Sequence, residues 1–172
     1  METFIHASAW ETENRYWWFH ARKEILISLV EKYISPGALI LDAGCGTGFI
    51  AEDLQKSFSL QLIDTSPEAL EICAKKGLRG QKASILNLPF PDSHFDGICV
   101  FDVLYHKQVS PLDLAIKEIY RVLKPGGFVI ISEPAYEWLR GKGNILDHAS
   151  RRFTSQKLQL AFESAGFSMK QI

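Results

Sequence analysis

The stretch Leu39–Gly48, LILDAGCGTG, constrains this chain more than any other. Three apolar residues (Leu39, Ile40, Leu41) run into Asp42, and glycines fall at 44, 46 and 48 ahead of an apolar, helix-compatible segment. The pattern predicts a buried strand that turns sharply into a helix. Alternate glycines let a backbone approach a ligand closely, and the start of a helix offers N–H groups with no partner of their own. The spacing narrows the ligand. A dinucleotide fingerprint read from Gly44 needs glycine at position 49, where Phe49 stands, and a phosphate loop needs a Gly-Lys-Ser/Thr ending that does not follow. The turn is therefore not built for a pyrophosphate or a triphosphate.

The bulk properties bound what surrounds this turn. A length of 172 residues predicts one domain with a sizeable core. The 19 Lys and Arg against 20 Asp and Glu give a net charge of -1, which predicts no nucleic-acid partner and no attraction to an anionic membrane. Cys45, Cys73 and Cys99 are odd in number and far apart, which suggests reduced thiols in a cytoplasmic protein and neither a disulfide framework nor a zinc site. The first twenty residues show no signal peptide, and no apolar run reaches membrane-spanning length.

Along the chain, strand and helix alternate five times. Residues 1–37 are read as an N-terminal cap, with Trp10, Tyr16, Trp17, Trp18 and Phe19 either buried for their area or closing over a ligand. Ile25, Leu26, Leu29, Val30 and Tyr33 then follow helical spacing. Residues 38–172 are read as the ligand-binding domain. Its strands are predicted at Leu39–Leu41, Leu60–Ile63, near Leu78–Ser84, at Phe95–Phe101 and at Phe128–Ile131. Its helices are predicted from about Phe49 to Lys56, from Pro67 to Gly77, after Ser110-Pro111 with Asp113 completing a capping box, and from Thr154 to Gly166. Leu114, Ile119 and Val122 are expected on the core face of the third of these helices. The order implies an α/β fold: a doubly wound, mostly parallel sheet with helices on both faces. Ligands in such sheets sit outside the carboxyl ends of the strands, where Asp42–Gly48, Asp64, Ser84, Asp102 and Glu133 converge.

Asp64 stands 16 residues past Gly48 and can accept two hydrogen bonds from a ribose diol, or can simply start the turn that follows it. Asp42 is expected to accept N–H groups and fix the glycine turn.

DAGCGTG, IDTSPEAL, LNLPFPDSHFD, FDVLYH and EIYRVLKPGG together resemble a class I, Rossmann-like S-adenosylmethionine-dependent methyltransferase over about Leu39–Phe167. NRYWWFHARKEI, ISEPAYEWL and RRFTSQKL are similar to a bacterial subgroup of methyltransferase type 11. The resemblance implies S-adenosylmethionine as cofactor. It implies that Asp42, Gly44, Cys45 and Gly46 lie against the donor's methionine and ribose part, that Asp64 with Thr65 holds the ribose hydroxyls, and that Asp102 faces the methionine amino group. Ser84 and Ile85 fall where the family places an acid and the next N–H against adenine, so Ser84 is a departure from the pattern. Tyr105 is another, standing where relatives often show Glu.

The implied reaction is in-line displacement onto a small-molecule acceptor. His106 is the candidate general base, or a histidine that only braces the loop. His20, His148, Tyr136 and the Arg151-Arg152 pair are further candidates near the acceptor. The family's sheet ends in a sixth strand and an antiparallel seventh, and this sequence is expected to lack that hairpin, either as a truncated or compact form or by leaving a fifth-strand edge open to pair with another chain as a homodimer. The alternative reading is a domain that binds the cofactor or a partner with weakened catalysis, suggested by Ser84, Tyr105 and the shortened sheet.

Overall fold

The computed structural model describes residues 11–139 and 151–170. Helix α1 (Trp17–Tyr33) precedes β1 (Leu39–Ala43), α2 (Ala51–Leu54), β2 (Ser59–Asp64), α3 (Pro67–Lys75), β3 (Gly80–Lys82), β4 (Phe95–Phe101), α4 (Leu112–Val122), β5 (Leu123–Ser132) and α5 (Ser155–Glu163). The strands form one sheet in the order β3-β2-β1-β4-β5, every pair parallel. The chain runs outward from β1 through β2 to β3, then returns to β4 and β5 on the other side. This reversal places a crevice between the carboxyl ends of β1 and β4.

Alternation along the strands decides which helices cover which face. Ile40, Cys99, Phe101 and Ile130 point to one side, where Leu26 and Val30 of α1 and Leu54 of α2 pack on them. Leu41, Ala43, Ile63, Ile98 and Val100 point to the other, against Ala115, Ile116, Ile119 and Val122 of α4 and Phe162 of α5. Each isoleucine buried this way contributes about 1.5–3 kcal/mol. Cys73 of α3 joins Leu62, Ala51 and Cys45 in a third cluster beneath the glycine turn.

Several local expectations give way to packing. The α4 core face is Ala115, Ile116, Ile119 and Val122, while Leu114 is exposed. Ile25 is likewise exposed, because Leu26 and Val30, four apart, define the buried stripe of α1. The capping box at Ser110 does not form: Pro111 occupies the cap position without a side-chain bond, and Asp113 pairs with Lys117 at 3.5 Å. The helix after the glycine turn is one turn long, because the N–H groups of Lys56 and Ser57 bond three residues back, to Asp53 and Leu54, and close it. In β5, Phe95 pairs with Leu123 and Gly97 with Phe128, so Lys124–Gly127 bulges out of the ladder.

A groove of about 1140 Å³ flanks β5, lined by Tyr33, Phe128, Phe162 and Met169 among others. Among the described residues no strand pairs with the outer side of β5 and none is antiparallel to the sheet. No helix among them is long and apolar enough to cross a membrane. Trp10, Gly141, Gly143 and His148 lie outside the described residues.

Candidate functional site

Two loops meet at the crevice. The first leaves β1 at Ala43. The N–H groups of Gly44 and Cys45 both donate to the carbonyl of Ile63, at 2.8 and 3.0 Å, and fasten the turn to the end of β2. Gly46 N–H donates to Asp64 Oδ2 and Ser66 N–H to Asp64 Oδ1, each at 2.9 Å. Asp64 therefore fixes the glycine turn, a role expected of Asp42, and also braces Ser66 at the cap of α3. Asp42 instead is buried in β1, and burial first, with repulsion from Asp64 second, pushes its carboxyl up to about 7.

The second loop leaves β4 at Asp102, whose φ of 56° turns the chain and whose N–H donates to the Ser132 carbonyl at 2.8 Å. Its next three amides converge on one carboxylate: Val103 and Leu104 donate to Glu133 Oε1 at 3.0 and 2.7 Å, and Tyr105 to Oε2 at 3.1 Å. Withdrawal from water pushes Glu133 up to about 7, with the nearby Asp102 charge adding to that and the three N–H bonds opposing it. The loops touch where a Cβ built on Gly44 would lie 2.4 Å from Val103 Cγ2. Glycine is required at 44 by that contact as well as by its φ of 95°.

Helix α1 reaches both loops. Arg22 Nη1 lies 2.6 Å from Asp102 Oδ2 and its Nη2 donates to Ser132 Oγ at 3.0 Å. Burial raises Asp102 above the usual carboxylate range, against the pull of Arg22 and His106. Just before α1, the Thr47 hydroxyl donates to the Glu13 carboxylate. Lys23 pairs with Asp53 at 2.6 Å and sits over the Phe49 ring. The N-terminal segment thus meets these loops through charged groups. Of its described aromatics, Tyr16, Trp17 and Trp18 are all more than half exposed, contrary to burial for area, while Phe19 is half-buried.

The predicted positions assemble unevenly. Gly44, Cys45, Gly46, Asp64, Thr65, Asp102 and His106 lie at or just past the carboxyl ends of β1, β2 and β4, and the Tyr105 and His106 rings lie tilted by 31° with centroids 4.1 Å apart. The Cys45 side chain turns inward, its Sγ 3.8 Å from that of Cys73, so only its backbone remains at the turn. Ser84, past β3, spends its hydroxyl on the N–H of Leu86 at 3.2 Å, and Ile85 packs into the core. Sequence reasoning noted Glu133 only as a strand-end residue and passed over Arg22 and Glu13. The acid immediately after the β5 run was the available signal for Glu133, whereas nothing local marks a helix arginine as the partner of a strand-end aspartate.

This sheet order with a glycine turn and a strand-end carboxylate beside it is that of a Rossmann-like nucleotide-binding domain. A family described as "Methyltransferase domain" matches residues 41–131, more than half of the chain, and the chain belongs to that family. It is 33% identical over 131 residues to "Probable tRNA methyltransferase 9B" of Mus musculus, covering 76% of this chain and 27% of the relative. It is 38% identical over 105 residues to "tRNA (carboxymethyluridine(34)-5-O)-methyltransferase" of Arabidopsis thaliana, covering 60% of this chain and 26% of the relative. The chain thus spans about a quarter of the length of these relatives. A Thermotoga maritima structure, described as an SAM-dependent methyltransferase and possible histamine N-methyltransferase, superposes with a TM-score of 0.74 at 25% identity, covering 96% of this chain and 80% of that one.

The residues present fit the donor. A Cβ on Gly46 would meet nothing within 4 Å, which leaves open space above the turn. Each Asp64 oxygen accepts one N–H and keeps a lone pair for a diol hydroxyl. One expectation is overturned. Near-neutral charge predicted no nucleic-acid partner, yet the two sequence relatives are named as tRNA methyltransferases. Net charge governs long-range attraction of the whole surface and carries no information about a local docking patch.

Proposed function

We propose that this chain binds S-adenosylmethionine across the carboxyl ends of β1, β2 and β4 and transfers its methyl group to a tRNA nucleotide. The donor site rests above all on one observation, the Asp64 carboxylate bridging Gly46 and Ser66 at the open side of the glycine turn. The tRNA acceptor rests on the two relatives' names.

When bound, the donor supplies a sulfonium methyl already activated for displacement. Asp64, with the Thr65 backbone beside it, holds the ribose hydroxyls. Gly44–Gly46 and Asp42 border the methionine part, and Asp102, its charge balanced by Arg22, receives the methionine ammonium. Ser84 and Ile85 border the base without a charged contact. Residues 1–37 form the cap, closed by the Arg22 and Glu13 links, over a donor domain beginning at residue 38. His106 takes a proton from an acceptor that carries one. Orientation and exclusion of water supply the remaining acceleration. A cytoplasmic location belongs to the same proposal.

The test is incubation with methyl-tritiated S-adenosylmethionine, bulk tRNA and a small-molecule extract. Label in acid-precipitable RNA supports the proposal. Label confined to small molecules overturns the tRNA acceptor and leaves methyl transfer standing.

A further inference from the structure

Three consecutive amides end here on a single side chain. Backbone N–H groups arranged this way form a concave anion site, and here the anion is the chain's own Glu133, at the end of β5. The segment it holds begins with Asp102, in the positive-φ turn, and ends with His106, whose N–H donates to the Val103 carbonyl at 3.2 Å. The Ser132 carbonyl pins the Asp102 amide, so the last residue of β5 and the one after it set the path of this loop.

We propose that Glu133 is a positioning residue for donor binding: its ionised carboxylate, by gathering the amides of Val103, Leu104 and Tyr105, presents Asp102 and His106 at the crevice. This rests on the reading that the Asp102 loop meets the donor. A proton on Glu133 replaces an acceptor lone pair with an O–H facing donors, and the loop loses its anchor.

The charged groups around Glu133 define how this depends on pH. Asp102 on the β4 loop repels it, Arg22 from α1 is paired with Asp102 and with neighbouring Ser132, and His106 closes the same loop. Partial burial brings Glu133 up to about 7, so ionised and protonated forms exchange near neutrality. Donor binding draws on the ionised form and therefore expels a proton. Fold stability draws on the protonated form. Acidification thus loosens the ligand while firming the fold, which a purely structural carboxylate would not do.

The experiment is calorimetric titration of the full chain with S-adenosylhomocysteine at about pH 8 and about pH 6, in buffers of different ionisation enthalpy, for the wild type and for Glu133→Gln, Glu133→Asp, Asp102→Asn and Asp42→Asn. The wild type should bind about tenfold more weakly at the lower pH and release protons on binding. Glu133→Gln should bind about tenfold more weakly at the higher pH, lose most of the pH step, and exchange the amides of 103–105 faster; Glu133→Asp should recover part of the affinity. Asp42→Asn should keep the step whatever its basal affinity, and loss of the step in that variant overturns Glu133 as its source. Equal affinity and an unchanged step in Glu133→Gln, with Asp102→Asn impaired, overturns the positioning role alone. No effect of either variant overturns the reading of the loop as well. If Glu133→Gln does not fold, the wild-type proton release and the Glu133→Asp affinity decide, and absence of both changes overturns the proposal.

Discussion

Arg22 in α1 and Asp102 at the end of β4 stand 2.6 Å apart and join the N-terminal helix to the loop that borders the donor crevice. Both are only partly shielded from water, so the pair's value is modest, about 1–2 kcal/mol. A double-mutant cycle with Arg22→Met and Asp102→Asn, read by urea unfolding, should give a coupling energy in about that range. A coupling near zero shows that the helix is held by its apolar face alone.

The pH dependence of stability has two limbs. Asp53, Asp96 and Glu118 are lowered chiefly by their Lys23, Lys124 and Arg121 partners, so their contribution is present above the ordinary carboxylate range and fades as pH falls through it. Asp42 and Glu133 are raised to about 7, so the folded state holds protons that the unfolded state has released. Stability must then decline as pH rises from about 4.5 to about 7 and level off above. Melting temperature should peak at about pH 4.5, where the two limbs meet at the ordinary carboxylate range, and Asp42→Asn should flatten the neutral limb. A melting temperature that rises through neutrality contradicts the burial of these carboxyls.

Ile119 has no exposed surface and lies against the β4 side of the core. Ile119→Ala should cost about 2–5 kcal/mol in denaturant unfolding. The exposed Leu114, five residues earlier in the same helix, should lose less than about 0.5 kcal/mol on truncation.

His106→Asn separates its two readings. If the imidazole accepts the acceptor's proton, kcat falls by about 10²–10⁴ while S-adenosylhomocysteine affinity stays near that of the wild type. An unchanged kcat means that the ring only braces the loop against Tyr105, 4.1 Å away.

How much of this was legible in the sequence depended on distance along the chain. Period and punctuation located β1, β2, β4 and α3 to within a residue or two, because apolar runs and the Ser66-Pro67 start are local signals. Local signals misled where packing chose among them: Leu114 and Ile25 satisfy helical spacing, yet lie off the buried stripe. The glycine turn and Asp64 were readable because motif spacing brings them together across adjacent strands. Glu133 with Val103–Tyr105 spans about thirty positions, and Arg22 with Asp102 spans 80, so only the folded sheet shows them. The expectation of no nucleic-acid partner was drawn from net charge, a sum that says nothing of where charges lie, and the relatives named as tRNA methyltransferases overturn it.

Titration of wild-type protein and Asp64→Ala with S-adenosylhomocysteine tests the central claim most directly. The account predicts one site on the wild type, and affinity at least about tenfold weaker in the variant, which loses both the diol acceptor and the anchor of Gly46. No binding by the wild type at high micromolar ligand, or equal binding by both proteins, would contradict it.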